Sequence, residues 1–167
     1  MKKIEALTVS IGLLAFVDTF VTATVLPVPV WVTFIAWASF FVVGGGPHGF
    51  LQSLTSNLAG ACIASLSLLA IASTDGTPFA AALAVGVGSA AMVQASKLKL
   101  LNILPAVVWG FASTVGTTIA TGHPITTRGL HNPLLVAAVA LAIGAVFGIA
   151  SEAFAALLTR KSQPSFQ

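Results

Sequence analysis

The sequence predicts an all-α integral membrane protein with six transmembrane helices. Charged residues make up only 7% of the chain, hydrophobic residues make up 57%, and the mean hydropathy is +1.02. Such a composition leaves too little polar surface to cover a water-soluble globule. The few charges fall mostly between apolar stretches of about 20 residues, the length that a helix needs to cross a bilayer. We therefore expect one transmembrane domain over residues 1–161, followed by a disordered polar tail at 162–167.

Proline, glycine and charged residues divide the chain into six apolar segments. The second segment is the shortest, because Pro29 and the glycines at 44–46 bound it closely. The first follows two lysines as the apolar part of a signal peptide does, but Asp18 within it favours a helix that is retained. The six segments are Ile4–Leu26, Val28–Val43, Gly49–Ser73, Pro78–Ser96, Leu100–Thr121 and Asn132–Thr159.

The positive charges predict the orientation of these helices. Six crossings place both termini on one side, and the connections between helices then alternate between the two faces. Six of the seven cations fall on the side of the termini, which the positive-inside rule makes cytoplasmic, while Arg128 and Asp75 fall opposite. The six cations are Lys2, Lys3, Lys97, Lys99, Arg160 and Lys161.

The two halves of the chain, residues 4–73 and 78–160, show a weak internal similarity. Trp37 and Gly44 in the first half have counterparts in Trp109 and Gly116 at the same spacing. Three crossings per half is an odd number, so two such halves must be inverted relative to each other in the membrane, as in many transporters and channels. Chance similarity between helices rich in alanine and glycine is the alternative.

Composition and spacing also argue against several function classes. The net charge of +3 comes from scattered cations, not from a basic face, so nucleic acid is not expected as a partner. Cys62 is the single cysteine, and the predicted topology separates His48 from His123 and His131, so no metal site is expected. Because no motif pairs a nucleophile with a base, we expect neither an enzyme nor a cofactor.

One stretch carries a family resemblance. It runs from Trp31 to Gly60 and contains WASFF at 37–41, GGG at 44–46 and SNLAG at 56–60. This pattern resembles the DUF1097 family of small multi-span proteins, which implies a multi-pass protein of the bacterial inner membrane without established catalytic residues. Residues 39–66 are more faintly similar to the HPP membrane family, some of whose members are implicated in nitrite transport. The 3+3 layout is similar to the halves of urea transporters, although a shared fold does not fix a function.

Two polar stripes are candidates for a solute path. Ser53, Asn57 and Ser65 follow helical spacing in the third segment, and Thr114 and Thr117 lie on a comparable surface of the fifth. Hydroxyls and amides both donate and accept hydrogen bonds, which suits a small neutral polar solute. Trp37 and Trp109 lie far enough into their helices to be candidates for a constriction. Ordinary packing by small polar residues explains the same stripes equally well.

Four further residues are candidates for a polar or ion site. Asp18 is a carboxylate within a membrane helix, where such a group faces a cavity, a partner or a solute path, or pairs locally, as with Arg128. Glu152 continues the small-residue stripe of Gly144 and Gly148. If this stripe meets the matching stripe on the fourth segment, we expect Glu152 to contact Gln94 or Lys97 as part of helix packing, and proton coupling is the alternative role. The turn that contains Gly45 and His48 exposes N–H groups that suit an anion or a carbonyl oxygen, unless it is simply a tight interhelical turn.

The sequence therefore favours a membrane channel or facilitator for a small polar, neutral solute such as urea or a short amide. The lipid bilayer and that solute are its expected partners, and the small-residue stripes predict a homo-oligomer. Two alternatives stay open. A small-anion transporter would depend on Arg128 and the glycine turn, and a scaffold or accessory subunit would need the small stripes alone.

Overall fold

A computed structural model describes residues 2–74 and 76–160 as an all-helical bundle, which confirms the predicted all-α architecture for this part of the chain. Five of the helices are long and apolar enough to cross a membrane, which indicates a multi-pass membrane protein. Asp75, Lys161 and the tail at 162–167 lie outside the described residues. The helices are α1 (Lys3–Thr24), α2 (Val30–Val42), α3 (Gly46–Ala72), α4 (Pro78–Ala95), α5 (Leu104–Thr121) and α6 (Pro133–Arg160), and a 3-10 turn at Gly129–His131 precedes α6.

Helix α2 is shorter than a full membrane crossing. Its 13 residues span roughly 20 Å, whereas the hydrocarbon core of a bilayer is about 30 Å thick. Pro29 precedes its first residue, and Gly44, Gly45 and Gly46 follow it with φ angles of 113°, 72° and 67°. Residues other than glycine rarely adopt such positive φ angles, because their Cβ atom clashes with the backbone. The glycine run therefore allows the chain to end α2 and reverse its direction.

Two helices begin three or four residues away from the start that the sequence predicts. Helix α3 begins at Gly46 instead of Gly49, because the turn ends at Gly45 and Pro47 fits the first turn of a helix. Helix α5 begins at Leu104 instead of Leu100, since Pro105 stands in its first turn and lacks the N–H that an interior position requires.

Four helices form the centre of the bundle. Helix α2 packs mainly on α6, α5 packs mainly on α3, and α3 also contacts α6. Helices α1 and α4 lie outside this centre, α1 against α6 and α4 against α3. The core contains one cluster where α2, α3 and α6 meet and another where α3, α4 and α5 meet. Their buried members are Val32, Ala36, Ala61, Ala140 and Leu141 in the first cluster, and Ala64, Met92, Val107 and Phe111 in the second.

Glycines bring the central helices into backbone contact. A Cβ atom at Gly60 would overlap the carbonyl oxygen of Val107, and one at Gly144 would overlap that of Thr33. Both positions therefore depend on the missing side chain, and Gly144 belongs to the predicted small-residue stripe of Gly144 and Gly148, which allows such a close approach. Gly86 on α4 is different, because a Cβ atom there would meet nothing within 4 Å.

Candidate functional site

Three buried polar side chains form a cluster between α2 and α3, here called the Asn57 cluster. The Ser53 hydroxyl donates to Ser39 Oγ at 2.8 Å, and Asn57 Nδ2 donates to Ser39 Oγ at 3.2 Å and to Ser53 Oγ at 3.3 Å. All three residues have no solvent-accessible surface. The structure therefore brings the predicted path residues Ser53 and Asn57 together around Ser39.

The interior also contains hydrogen-bonding atoms that have no partner. Among the described residues, Asn57 Oδ1 and Ser113 Oγ are buried and make no hydrogen bond. Most buried polar side-chain atoms in proteins do have a partner, because leaving one unpaired costs about 1–3 kcal/mol. The Asn57 cluster therefore retains an unpaired acceptor, and α5 retains an unpaired hydroxyl.

The other predicted path residues are buried but bonded to their own helices. Ser65 donates to the carbonyl of Ala61 at 2.9 Å, Thr114 to that of Gly110 at 3.1 Å, and Thr117 to that of Ser113 at 2.7 Å. Each of these hydroxyl oxygens still has lone pairs that can accept a further hydrogen bond. Helix α5 approaches α3 closely here, since a Cβ atom at Gly110 would overlap the carbonyl oxygen of Asn57. The helices that carry the two predicted stripes thus pack on each other, although the Ser53 and Asn57 side chains bond to Ser39 of α2 and not to α5.

Trp37 is fixed against α6. Its Nε1 donates to Ser151 Oγ at 3.0 Å, and its ring centroid lies 5.6 Å from that of Phe147. The Ser10 hydroxyl of α1 donates to the carbonyl of Ser151 at 2.7 Å, so three helices meet at this serine. Trp37 is 3% exposed, whereas Trp109 is partly exposed, and the two tryptophans therefore occupy different environments.

Replacing Trp37 with phenylalanine should destabilise the protein moderately. The substitution keeps an aromatic ring against Phe147 but removes the N–H that pairs with Ser151, which is worth about 0.6–1.7 kcal/mol in membrane proteins. Unfolding in detergent micelles, followed by circular dichroism, would measure the loss. Trp109→Phe is the matched control and should have a smaller effect, so equal losses would contradict a special role for the Trp37 hydrogen bond.

Glu152 binds the glycine turn that joins α2 to α3. The N–H of Gly46 donates to Glu152 Oε2 at 2.7 Å, and the carboxylate oxygens lie 3.1 and 3.2 Å from the position of a Cβ atom at Gly45. The predicted contact of Glu152 with Gln94 or Lys97 is wrong, because α4 does not pack on α6 within the described part of the chain. The Glu152 carboxylate thus occupies the N–H of Gly46, one of the donors that the sequence suggests for an external anion.

Replacing Glu152 with alanine should weaken the hold of α6 on this turn. We expect a loss of roughly 1 kcal/mol in the free energy of unfolding, because a partly buried N–H loses its charged acceptor. Hydrogen exchange at Gly46 should also become faster. Glu5→Ala, which removes an exposed carboxylate, is the control, and unchanged exchange at Gly46 in Glu152→Ala would contradict the assignment.

The remaining predicted residues lie apart from the Asn57 cluster. Asp18 is buried between α1 and α2, where the Thr33 hydroxyl donates to its Oδ2 atom, so its partner is Thr33 and not Arg128. His48 is exposed in the first turn of α3. His123 and His131 lie together before α6 with ring centroids 5.6 Å apart.

A groove of about 420 Å³ lies between α3 and α4 on the outside of the bundle. Its lining is almost wholly apolar and includes Ile63, Leu66 and Leu83, while the predicted path residues are not part of it. Such a surface suits acyl chains of the membrane and not a polar solute. The polar path remains a prediction about the central helices.

Sequence reasoning missed Ser39, Thr33 and Ser151 as partners of the predicted site residues. Each is a hydroxyl residue in a mostly apolar helix and does not continue a polar stripe, so helical spacing does not reveal which neighbour it faces. Ser39 belongs to the WASFF stretch that carries the family resemblance, which was the one available signal.

Comparison with known proteins gives one match. The model of the family described as "Protein of unknown function (DUF1097)" matches residues 8–156. No curated protein and no solved structure matches the chain.

Proposed function

We propose, from the premise that the chain belongs to the DUF1097 family of proteins of unknown function, that it is a membrane facilitator for a small polar, neutral solute of the urea or short-amide class. We place it in the bacterial inner membrane, where its solute path runs through the four central helices. Asn57, Ser53, Ser65, Thr114 and Thr117 are the proposed lining of this path.

One observation carries this proposal: a buried polar cluster whose hydrogen bonds are incomplete. Asn57 Oδ1 and Ser113 Oγ have no partner although both are fully buried. A bundle that used these residues for packing alone would gain by pairing them or by replacing them with apolar side chains. A urea-like solute both donates and accepts, so it can bond to the amide oxygen and to the hydroxyl.

Six crossings with both termini in the cytoplasm are part of the proposal, and the contacts at one end of the bundle support it. Ser10 near the start of α1 binds Ser151 near the end of α6, and the adjacent Glu152 binds the α2–α3 turn. The loop before α5 lies at the same end, because Ser56 near the start of α3 donates to the carbonyl of Leu100. These contacts support a common face for Lys2, Lys3, Lys97 and Lys99, which agrees with the positive-inside rule.

An inverted repeat of α1–α3 and α4–α6 is also proposed, and matching contacts in the two halves support it. Helix α2 packs on α6 as α5 packs on α3, and α1 packs on α6 as α4 packs on α3. Gly144 meets the carbonyl of Thr33 as Gly60 meets that of Val107. In transporters built in this way, the substrate site lies at the interface of the repeats near the middle of the membrane.

Contacts in the two halves also define the register of the proposed repeat. Gly88 of α4 lies against Ser67 of α3 and Phe111 of α5, as Ser10 of α1 binds Ser151 of α6, which also accepts a hydrogen bond from Trp37 of α2. This pairs Trp37 with Phe111 and not with Trp109.

The same register pairs Ser39 with Ser113, and it pairs Asn57 with Leu141, a fully buried apolar residue. Ser39 therefore has an amide partner that Ser113 lacks. The two halves thus differ in polarity at equivalent positions of the repeat. We expect such a difference if the path binds its solute mainly through the polar residues of the first half.

Osmotic challenge of proteoliposomes tests the proposed function. Purified protein in liposomes is mixed rapidly with urea, acetamide, formamide or glycerol, and light scattering follows the recovery of vesicle volume. At least one of these solutes should enter much faster than into liposomes without protein. Rates equal to those of empty liposomes for all four solutes would contradict the facilitator.

Two other functions remain as outcomes of this experiment. A small-anion transporter would show flux of nitrite or another small anion and no flux of neutral solutes. Glu152 disfavours this reading, because it already occupies the N–H of Gly46 with a carboxylate. A scaffold or accessory subunit would show no flux of either kind, and the exposed stripe of Ala82, Gly86 and Ala90 on α4 is a surface that a partner helix or a second copy could use.

A further inference from the structure

Asp18 stands apart from the other charged side chains of the molecule. Among the charged side chains that the structure describes, it alone is fully buried, with no accessible surface. It lies six residues before the end of α1, at a depth of roughly 9 Å along the helix. A carboxylate at such a position is costly unless it is paired, hydrated or neutral.

The acceptor atoms around the Asp18 side chain outnumber the protons that can be donated to them. The Thr33 hydroxyl has a single proton but two acceptors within reach, Asp18 Oδ2 and the carbonyl oxygen of Val30 at 2.7 Å. Asp18 Oδ1 is buried without any partner. Thr22 does not help, because its hydroxyl donates to the backbone carbonyl of Asp18 at 2.8 Å.

One added proton completes this arrangement. If Asp18 carries it on Oδ2, the acid donates to Thr33 Oγ, and the Thr33 hydroxyl then donates to the carbonyl of Val30. Only a neutral carbonyl oxygen, Oδ1, stays unpaired, which costs less than an unpaired charged oxygen.

No charged group that the structure describes is placed to neutralise a carboxylate here. Helix α1 packs on α6 and α2. Helix α2 contains no ionisable residue, and the described ionisable side chain of α6, Glu152, binds the glycine turn. On α1 itself, Lys3 and Glu5 are exposed in the first turn, far from Asp18 along the helix.

We propose that Asp18 is a proton-binding site inside the membrane and that it holds its proton in this conformation. The proton comes from water and forms an O–H bond on the carboxyl group, and no other bond changes. Release of the proton would leave a charged carboxylate with a single shared donor, so water must then enter between α1 and α2. Proton occupancy is thereby coupled to the contact between these helices. The proposal does not depend on the facilitator function.

Infrared spectroscopy of the reconstituted protein tests the proton directly. The protein is placed in liposomes of ether-linked phospholipids, whose lack of ester carbonyls leaves the carboxylic-acid C=O region clear. At neutral pH the wild type should show a C=O band of a protonated acid that shifts in heavy water. The band should be missing in Asp18→Asn and present in the control Glu152→Gln. A wild type without this band, or a band that persists in Asp18→Asn, would overturn the proposal.

The pH dependence of stability is a second and independent readout. The fold holds the protonated form, so the stability that Asp18 contributes is present at low pH and is lost as the pH rises and the proton leaves. Asn carries an N–H in place of the acid O–H, so Asp18→Asn should remain folded and lose this part of the pH dependence. Parallel curves of melting temperature against pH for the two proteins would refute a titrating site at Asp18.

Discussion

Replacing Asn57 with leucine should lower the protein-mediated entry of the transported solute into proteoliposomes by about a factor of ten. The substitution removes the unpaired amide oxygen of the Asn57 cluster together with the two hydrogen bonds from Nδ2. A solute that passes this point then loses a hydrogen bond in an apolar surrounding, at a cost of about 1–3 kcal/mol. Since 1.4 kcal/mol corresponds to a factor of ten, the protein-mediated rate should fall roughly tenfold or more.

The fold should tolerate this change, which makes the flux result interpretable. Leucine is apolar and branches at Cγ as asparagine does, and the proposed repeat already has Leu141 at the equivalent position of α6. Asn102→Leu makes the same chemical change in the exposed loop before α5. It removes the hydrogen bond that Gln52 Nε2 donates to Asn102 Oδ1, but it lies outside the Asn57 cluster and should leave the rate unaltered. If Asn57→Leu remains folded and carries the solute as fast as the wild type, the path does not pass the Asn57 cluster.

Replacing Gly60 with alanine should cause the largest loss of stability of the changes considered. The new Cβ atom would overlap the carbonyl oxygen of Val107 and lie close to the backbone of Phe111, so α3 and α5 must move apart. These are backbone atoms, which cannot move aside as the end of a flexible side chain can. Overpacking of this kind costs about 1–3 kcal/mol, and we expect a value at or above the upper end.

Gly86→Ala is the matched control for this prediction. Gly86 is exposed on α4 and has open space where its Cβ atom would stand, so alanine there should be neutral or slightly stabilising through its higher helix propensity. Thermal unfolding of the two variants in the same detergent gives the comparison. Similar melting temperatures for Gly60→Ala and Gly86→Ala would show that α3 and α5 do not meet at Gly60.

Much of the fold could be predicted from the sequence, because the membrane imposes long apolar segments whatever their tertiary contacts. The ends of α4 and α6 lie within one residue of their predicted positions, since Pro78 and Pro133 mark where those helices start. The starts of α3 and α5 were less accurate. There the helix start depends on how the backbone turns at Gly45 and Pro105, and a count of apolar residues does not reveal that.

The candidate site could be predicted only in part. Helical spacing places Ser53 and Asn57 on one face of α3, but it does not say that Ser39 of α2 lies between them. The spacing also suggested that Glu152 meets α4, where the tertiary structure has the Gly46 turn instead. Small-residue stripes occur on both α4 and α6, and the stripe alone does not identify its partner helix.

The sequence by itself determined that this protein is a helical membrane protein of the DUF1097 family and where its helices lie along the chain, because hydropathy, proline and glycine act locally. Only the tertiary structure decided which polar groups meet. It joined Asp18 to Thr33, Trp37 to Ser151 and Asn57 to Ser39. These pairings depend on which helix faces pack together, and in a membrane glycine contacts and interhelical hydrogen bonds select the faces, since lipid is as apolar as the helices themselves.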